Sequence, residues 1–600
     1  MNKNKKQKKN SKSSLSLQQK QISSEYFSFS KNLPHIILCC SLLFTVACRL
    51  RLLEVPLERD EGEYAYVGQQ LLQGVPPFVS IYHVKLPGIY TAYAIIEFLF
   101  GETHKGIHFG LLFVNVLTAI VVFFTGKRFF NPLYAALAAA CFCIFSLSQK
   151  FLGFSANAEH FVVLPAMIGI LFLLRSFEAV KERKIVSGKD FKLRLLNIAS
   201  LPLFNFFVAG LFLGTAYTMK QHGIFFIAFA GIFFLYKWFV AKPLNWKNFF
   251  VNGFVFGAGV LLPLGVLCLI FLKLGLFDKF WWWTWYYPRQ YITQISWDAG
   301  MNYLGFSFKP MWETFWLLFV LAGAGIIGLV KDKPWDSKIF VIGLFAFTVL
   351  ALSAGFYFYP HYFIHATPAL GLLVAAGAEF ISNFFRNSNK GFLKNYLGAS
   401  VLIIFLFSAI KNEKDYYFNM DGISVVRSSY HGNPFPESLE IAKYIEKNTS
   451  PEDKIAVIGS EPQIYFYAKR RAATGFMYTY EMMKDHPHVH EFQTTMMKEI
   501  EEAKPKMILY VYVTSSWFAT PLKNMDPYIF DQSHKYISEN YEQAGIVNII
   551  GGRKEGVYCW EDPSKPGNEC VAPVKPGGSP WDALWLAVYK RKEAVPAIKQ

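Results

Sequence analysis

Seven residues, Glu58-Arg59-Asp60-Glu61-Gly62-Glu63-Tyr64, place four carboxylates directly behind the first long apolar segment of the chain. Acidic groups beside a bilayer are costly unless they are solvated or used. A hydrated loop is the plain reading of such an island. Three features favour use. Tyr82-His83-Val84-Lys85-Leu86-Pro87 follows shortly after, further lysines and histidines recur at the same expected membrane face, and a soluble domain falls on that side. A carboxylate can accept the proton of an attacking hydroxyl, and cations can hold a phosphate as negative charge develops on it. The combination points to chemistry on a lipid-borne phosphate. Asp60 or Glu61 can be the base. Lys85, Lys220, Arg289 and His361 can hold the phosphate, as point charges or through a guanidinium fork. Tyr64, Tyr82, His83, Glu159, Gln221 and Tyr362 share that face and would line the site.

Some of these residues have a second reading. Lys220 follows the apolar run 210–219 and can be a snorkelling helix-end lysine. Charge bias would keep such a lysine inside, whereas the topology derived below puts Lys220 outside. Glu159 opens an apolar segment and suits a helix N-terminus by its charge alone, or it positions the site or a cation. The loop 274–309 carries Trp281, Trp282, Trp283, Trp285, Tyr286 and Tyr287. These rings read as an interfacial belt, or as a wall for a lipid tail with Arg289 beside its head group.

The elements that must hold these groups are membrane helices. The chain has 600 residues, 53% hydrophobic and 18% aromatic, with only 17% charged, more apolar than a soluble protein needs. Its formal charge of +17 sits in the N-terminal tail and short loops, so it is no sign of nucleic-acid binding. Residues 1–32, rich in Lys, Ser, Gln and Asn, are expected to be a disordered basic cytoplasmic tail. Its length argues against a cleaved signal peptide. A spanning helix needs about 20 apolar residues. Eleven segments qualify: 34–51, 105–125, 132–149, 158–177, 201–219, 223–241, 249–273, 311–330, 338–357, 362–383 and 394–411. The stretch 86–101 is short, opens near Pro87 and contains Glu97. With 86–101 at the interface, the loops with Lys127-Arg128, 181–194, Lys242 and Lys247, Lys331 and Lys333, and Arg386, Lys390 and Lys394 all fall inside. The N-terminus is then cytoplasmic and the C-terminus outside.

The composition changes near Asn412. Helical patterns over 437–447, 489–503 and 526–543 alternate with strand-like runs at 454–459 and 507–512. Runs at 546–550 and 584–589 complete a sheet, and the whole reads as an extracytoplasmic α/β domain over 412–600. No Gly-rich nucleotide motif is present. Cys559 and Cys570 flank a Pro/Gly-rich loop and are expected to pair if that domain lies outside the cytoplasm. The other six cysteines lie in apolar segments as packing residues. His486, His488 and His490 can ligate a metal, or simply open a solvated helix.

The ordered motifs Asp60-Glu61-Gly62-Glu63-Tyr64, Tyr82 to Pro87, Ser155-Ala156-Asn157-Ala158-Glu159, Thr218-Met219-Lys220-Gln221, and His361-Tyr362 with Pro368 resemble those of GT-C glycosyltransferases of the protein-mannosyltransferase-like type. That group includes bacterial lipid A aminoarabinose transferases and transferases of lipopolysaccharide cores. The resemblance covers roughly 34–410, with a similar plan for the outer domain. It implies an α-helical polytopic membrane protein of GT-C type, with a catalytic domain over 33–411. It implies a bacterial plasma-membrane location and a polyprenyl-phosphate monosaccharide as donor. In it Asp60 matches the catalytic aspartate of the first outer loop and Lys85 the lysine that contacts the donor phosphate. The Lys220 junction and the His361-Tyr362 corner match donor-site elements. Leu86 interrupts the usual Lys-Pro-Pro. Val84 stands where the aminoarabinose enzymes carry a glutamate that is a candidate metal ligand, and Glu63 where they carry an arginine. A divalent metal stays open as a cofactor, and the sugar is not expected to be aminoarabinose.

The reading is therefore an inverting membrane glycosyltransferase acting at the outer face, with a protein, lipid or glycan acceptor. A transporter or flippase of lipid-linked sugars would show mid-membrane charges and inverted repeats, and few such charges and no repeat are visible. An oligosaccharyltransferase would carry a Trp-Trp-Asp-type motif in its soluble domain. Here Trp281 to Trp283 lie elsewhere and Trp581-Asp582 lacks the first tryptophan. A non-catalytic sugar-binding module would not need acids and cations on one face.

Overall fold

The computed structural model describes residues 32–185, 202–240, 245–292, 295–385, 391–484, 486–517, 526–550, 553–561 and 570–593. The expected basic tail, apart from Asn32, lies outside the described residues. In chain order the first elements are α1 (Asn32–Glu54), α2 (Arg59–Leu72), α3 (Pro87–Phe100), α4 (His104–Gly126), α5 (Pro132–Leu147), α6 (Ala158–Ile185), α7 (Pro202–Met219) and α8 (Gly223–Val240). Among the described residues ten helices are long and apolar enough to cross a membrane. The chain is a multi-pass helical membrane protein that ends in a small sheet domain.

The segment expected at 132–149 is α5, a helix of 16 residues started by Asn131 with Pro132 at its first position. It is shorter than the ten, is buried by protein after Pro132, and joins the end of the bundle where Lys333 bonds Phe129 O to the end where Ser148 bonds Glu413. Two expectations need correction. The loop 274–309 is largely helical: Phe277–Trp281, a π-helical turn over Trp282–Tyr286, Tyr287–Ile292, and then a helix of 36 residues, Trp297–Asp332, that absorbs the span expected at 311–330. Helix is the way a backbone bonds its own amides where water is scarce. Finally, the acidic island is no loop. Glu58 caps α2, its Oε1 accepting from Glu61 N at 3.1 Å, while Glu61 Oε2 accepts from Glu58 N at 3.2 Å. This reciprocal capping box makes the island the first turn of a largely buried helix.

The C-terminal domain holds one six-stranded sheet: β1 (Lys454–Ile458), β2 (Arg471–Ala472), β3 (Met507–Tyr512), β4 (Tyr541–Asn548), β5 (Val557–Trp560) and β6 (Trp585–Arg591), in the order β2-β1-β3-β6-β4-β5. β1 is parallel to β2 and β3, and the helices between them supply the crossovers that parallel neighbours need. β6 enters antiparallel, setting Leu509 opposite Val588, and β4 and β5 continue antiparallel. Helices over Val489–Ala503 and Tyr528–Asn540 cover the sheet, the second ending short of the expected 543 because β4 begins at Tyr541. Cys559 and Cys570 are joined in a disulfide, their Cα atoms 5.7 Å apart.

What matters for the site is how this domain meets α2. One apolar cluster runs from Tyr64, Val67 and Ile89 into Ile464, Tyr465, Leu509 and Val511. A Cβ on Gly62 would lie 2.5 Å from the main-chain nitrogen of Gln463, so the helix Gln463–Ala468 packs on α2 at glycine distance. Polar ties flank this contact. Arg59 Nε donates to Ser460 O at 2.7 Å and its Nη2 to Glu461 Oε1 at 2.5 Å. Leu57 N donates to Tyr467 OH at 2.8 Å, and Ala472 N to Tyr66 OH at 2.9 Å.

Candidate active site

Successive side chains on a helix point about 100° apart, and the first turn of α2 uses this to send its acids in different directions. Asp60 faces an opening, with its side chain 23% exposed. Its Oδ2 accepts from Lys85 Nζ at 3.1 Å and from Tyr64 OH at 3.3 Å, and Lys85 Nζ also donates to Tyr64 OH at 2.8 Å. Glu61 points inward and is fully buried. Its Oε1 accepts from Ala156 N at 2.6 Å and pairs with His108 Nε2 at 2.9 Å, while Oε2 closes the capping box. Both its oxygens are committed to holding α2, α4 and the Ser155–Ala156 segment together. Glu63 is buried as well, bonded to the Tyr90 phenol and paired through Oε1 with His83 Nδ1 at 2.9 Å.

A second cluster is built from the Lys220 junction, α6 and the turn Pro360–Ala366. Lys220 is 5% exposed and forms a close ion pair with Glu159 at the start of α6. It does not snorkel. Its ammonium lies 4.0 Å from the Tyr362 ring centroid, and His361 Nε2 is 3.9 Å from Glu159 Oε1. Gln221 Nε2 donates to Val84 O at 2.7 Å and so ties this junction to the loop that carries Lys85. Gly88 serves the same approach, because a Cβ there would sit 2.4 Å from the Thr218 carbonyl oxygen.

Charge couples the two clusters. Burial opposes ionisation of Asp60, but Lys85, His361 and Lys220 outweigh it and hold the carboxyl well below the usual carboxylate range. Burial likewise works against the charge on Lys85, and Asp60 and Glu63 reverse this and keep it firmly protonated. For Lys220 burial wins over Glu159 and lowers its pKa from the ordinary lysine value. The result is a carboxylate kept as an anion, partly exposed, beside one half-buried and one buried lysine.

Other expected residues lie elsewhere. Tyr82 points into the seam between domains, where its hydroxyl donates to Glu499 Oε1 at 2.9 Å and its ring stacks on Trp283. His83 stacks on Tyr478 at 4.7 Å. Arg289 lies 5.1 Å over Trp285, and among the described residues no ion pair joins it to the two clusters. The aromatic segment divides in two. Trp282, Trp283 and Tyr287 pack on Phe492 of the C-terminal domain, while Trp281, Trp285 and Tyr286 stay exposed. His490 pairs with Asp526, His488 with Glu491, and His486 contacts Tyr287. Among the described residues no group of three or more His, Cys, Asp or Glu is arranged to hold a metal ion.

Sequence reasoning missed the partners that set α2, namely His108, Glu461 and above all Tyr478. The run Phe476-Met477-Tyr478-Thr479-Tyr480 is aromatic, but nothing in its pattern links it to a residue over 400 positions away.

No family model matches the chain, and no curated protein matches it. Solved structures do. ArnT from Cupriavidus metallidurans bound to undecaprenyl phosphate superposes with a TM-score of 0.52 at 14% identity, over 87% of this chain and 97% of that one. The oligosaccharyltransferase AglB from Archaeoglobus fulgidus, in complex with an inhibitory peptide and a dolichol-phosphate, gives a TM-score of 0.52 at 14% identity, over 90% of this chain and 75% of that one. The chain has the GT-C glycosyltransferase fold. At this identity the likeness concerns the arrangement of the chain.

Proposed function

We propose that the chain is a membrane glycosyltransferase that moves one sugar from a polyprenyl-phosphate donor to a hydroxyl of a protein, lipid or glycan acceptor. The reaction takes place at the outer membrane face, with the N-terminus cytoplasmic and residues 412–600 outside. The observation that carries this reading is Asp60, ionised and partly exposed, set beside Lys85 and Lys220. Asp60 accepts the proton of the acceptor hydroxyl as its oxygen attacks the anomeric carbon. The bond from that carbon to the phosphate oxygen breaks and its electron pair leaves on the polyprenyl phosphate. The back-side approach inverts the anomeric centre. Lys85 and Lys220, with His361, stabilise the charge that grows on the departing phosphate. Glu159 holds Lys220, and Tyr64, Gln221 and Tyr362 shape the wall. No step here runs through a metal.

Likeness to an oligosaccharyltransferase equals that to ArnT in TM-score, which supports transfer of a whole glycan as a second reading. One experiment addresses both. Purified protein in nanodiscs is offered radiolabelled polyprenyl-phosphate monosaccharides, and separately lipid-linked oligosaccharides, with an envelope fraction as acceptor. Label from a monosaccharide donor should reach protein or glycolipid, and Asp60→Asn should abolish it. Transfer only from oligosaccharide donors favours the second reading. Label that crosses vesicle membranes without joining an acceptor would instead mark a flippase.

A further inference from the structure

We infer that Tyr478, in the C-terminal domain, is a positioning residue for Asp60, so that the active site is incomplete without that domain. The inference rests on the reading of Asp60 as the base. Tyr478 is 6% exposed, and its hydroxyl lies 3.1 Å from the Arg59 carbonyl and 3.3 Å from Asp60 Oδ1. Its single proton is shared between the backbone that carries Asp60 and the carboxylate itself. The two oxygens of Asp60 have different partners. Oδ2 faces Lys85 and Tyr64, whereas among the described residues Tyr478 is the hydrogen-bond donor to Oδ1.

The phenol is itself held from three sides. Its ring stacks on His83, 4.7 Å between centroids and 18° between planes, and His83 is fixed by Glu63. Thr479 N donates to Ser460 Oγ at 3.0 Å, and its hydroxyl donates to Ser516 O at 3.1 Å. This anchors the next residue to the loops that follow β1 and β3. Arg59 binds Ser460 O from the membrane side, so one short loop fixes both the donor and the helix it addresses. Burial, with Glu63 and Asp60 nearby, raises the phenol pKa and keeps Tyr478 a donor. A carboxylate turned by about one rotamer loses its line to the incoming hydroxyl, and misplacement on the order of 1 Å costs about 10²-fold in rate.

The test is Tyr478→Phe, which keeps the ring on His83 and removes only the hydroxyl. A hydrogen bond to a charged group corresponds to a rate change of roughly 10- to 100-fold. The expected result is a fall in kcat of that size, with the KM for the polyprenyl-phosphate sugar within about two-fold and the thermal midpoint unchanged; the KM-against-kcat split is what separates positioning from packing. A purely structural ring would be fully replaced by phenylalanine, so wild-type kcat in Tyr478→Phe overturns the inference. A second measurement is the acid limb of kcat/KM, which Tyr478→Phe should move to higher pH because the carboxylate loses a hydrogen-bond donor. A limb that stays in place would place the action of Tyr478 elsewhere and overturn the inference as well. The parent reading fails differently. If Asp60→Asn transfers like wild type, or wild type transfers nothing, Asp60 is not the base and the inference falls with it.

Discussion

Replacing Gly62 by alanine should slow transfer far more than it unfolds the protein. Gly62 lies within α2, two residues after Asp60, and alanine there would by helix propensity alone stabilise α2 by about 1 kcal/mol. The surroundings reverse that sign. A Cβ would meet Gln463 N and Cβ at 2.5 Å and Gln463 Cα at 2.6 Å. Ordinary carbon contacts lie at about 3.5–4.0 Å, so α2 and the helix Gln463–Ala468 must part by about 1 Å. Trimming Gln463 gives no relief, because its nitrogen and Cα are part of the clash. Overpacking of this kind costs about 1–3 kcal/mol, which leaves a net loss of at most about 2 kcal/mol. A shift of about 1 Å at the base costs about 10²-fold in rate. The assay is kcat for sugar transfer in nanodiscs beside a fluorescence-monitored thermal midpoint. The expectation is a drop in kcat of about 100-fold with a modest fall in midpoint. Wild-type kcat in Gly62→Ala would show that α2 tolerates displacement, and would refute the claim that its close seat on the C-terminal domain sets Asp60.

Asp60→Asn should give a folded protein without transfer, whereas Glu61→Ala should lower the thermal midpoint and folded yield, since Ala156 N and His108 lose their acceptor; the reverse pattern would exchange their roles. Lys220→Met alone should destabilise by about 3–5 kcal/mol by leaving Glu159 buried and unpaired, and adding Glu159→Leu should recover most of it, read as the thermal midpoint of the single and double variants. Asp60 is held below the usual carboxylate range, so the base should stay ionised at ordinary pH and be lost only at pH well below that range. Lys85→Met removes the strongest opposing charge and leaves the burial, so the acid limb of kcat/KM should move to higher pH; a limb that stays in place would show that Lys85 does not set the ionisation of Asp60.

The membrane plan was legible because a spanning helix needs a long apolar run, and the outlines of 104–126, 158–180 and 223–240 follow it closely. The sheet was legible where burial on both faces makes a continuous apolar run, as at Met507–Tyr512. α5 is covered by protein after Pro132, which hydropathy alone does not register. Asp60, Lys85, Lys220, Glu159 and His361 stood out because charge beside an apolar segment is costly and hence visible. Their division into partly exposed and fully buried groups was hidden. Asp60 and Glu61 are neighbours with like chemistry, and only the helical phase set by the Glu58 cap tells them apart. Tyr478 was hidden for a different reason, since its role depends on a contact made across 418 positions of sequence.

That long reach bears on how the protein is made. The helix that carries Asp60 emerges early, yet its core partners, Ile464, Tyr465, Leu509 and Val588, and its polar ties at Ser460, Glu461 and Tyr467 all come from the last third of the chain. Contacts of such separation form late, after the cost of closing the intervening loop has been met. During synthesis α2 therefore lacks much of its packing until the sheet has folded against it. A chain stopped before β3 would carry every candidate residue of the membrane half and still lack an assembled site. Folding of the C-terminal domain is thus the step that seats the helix carrying Asp60.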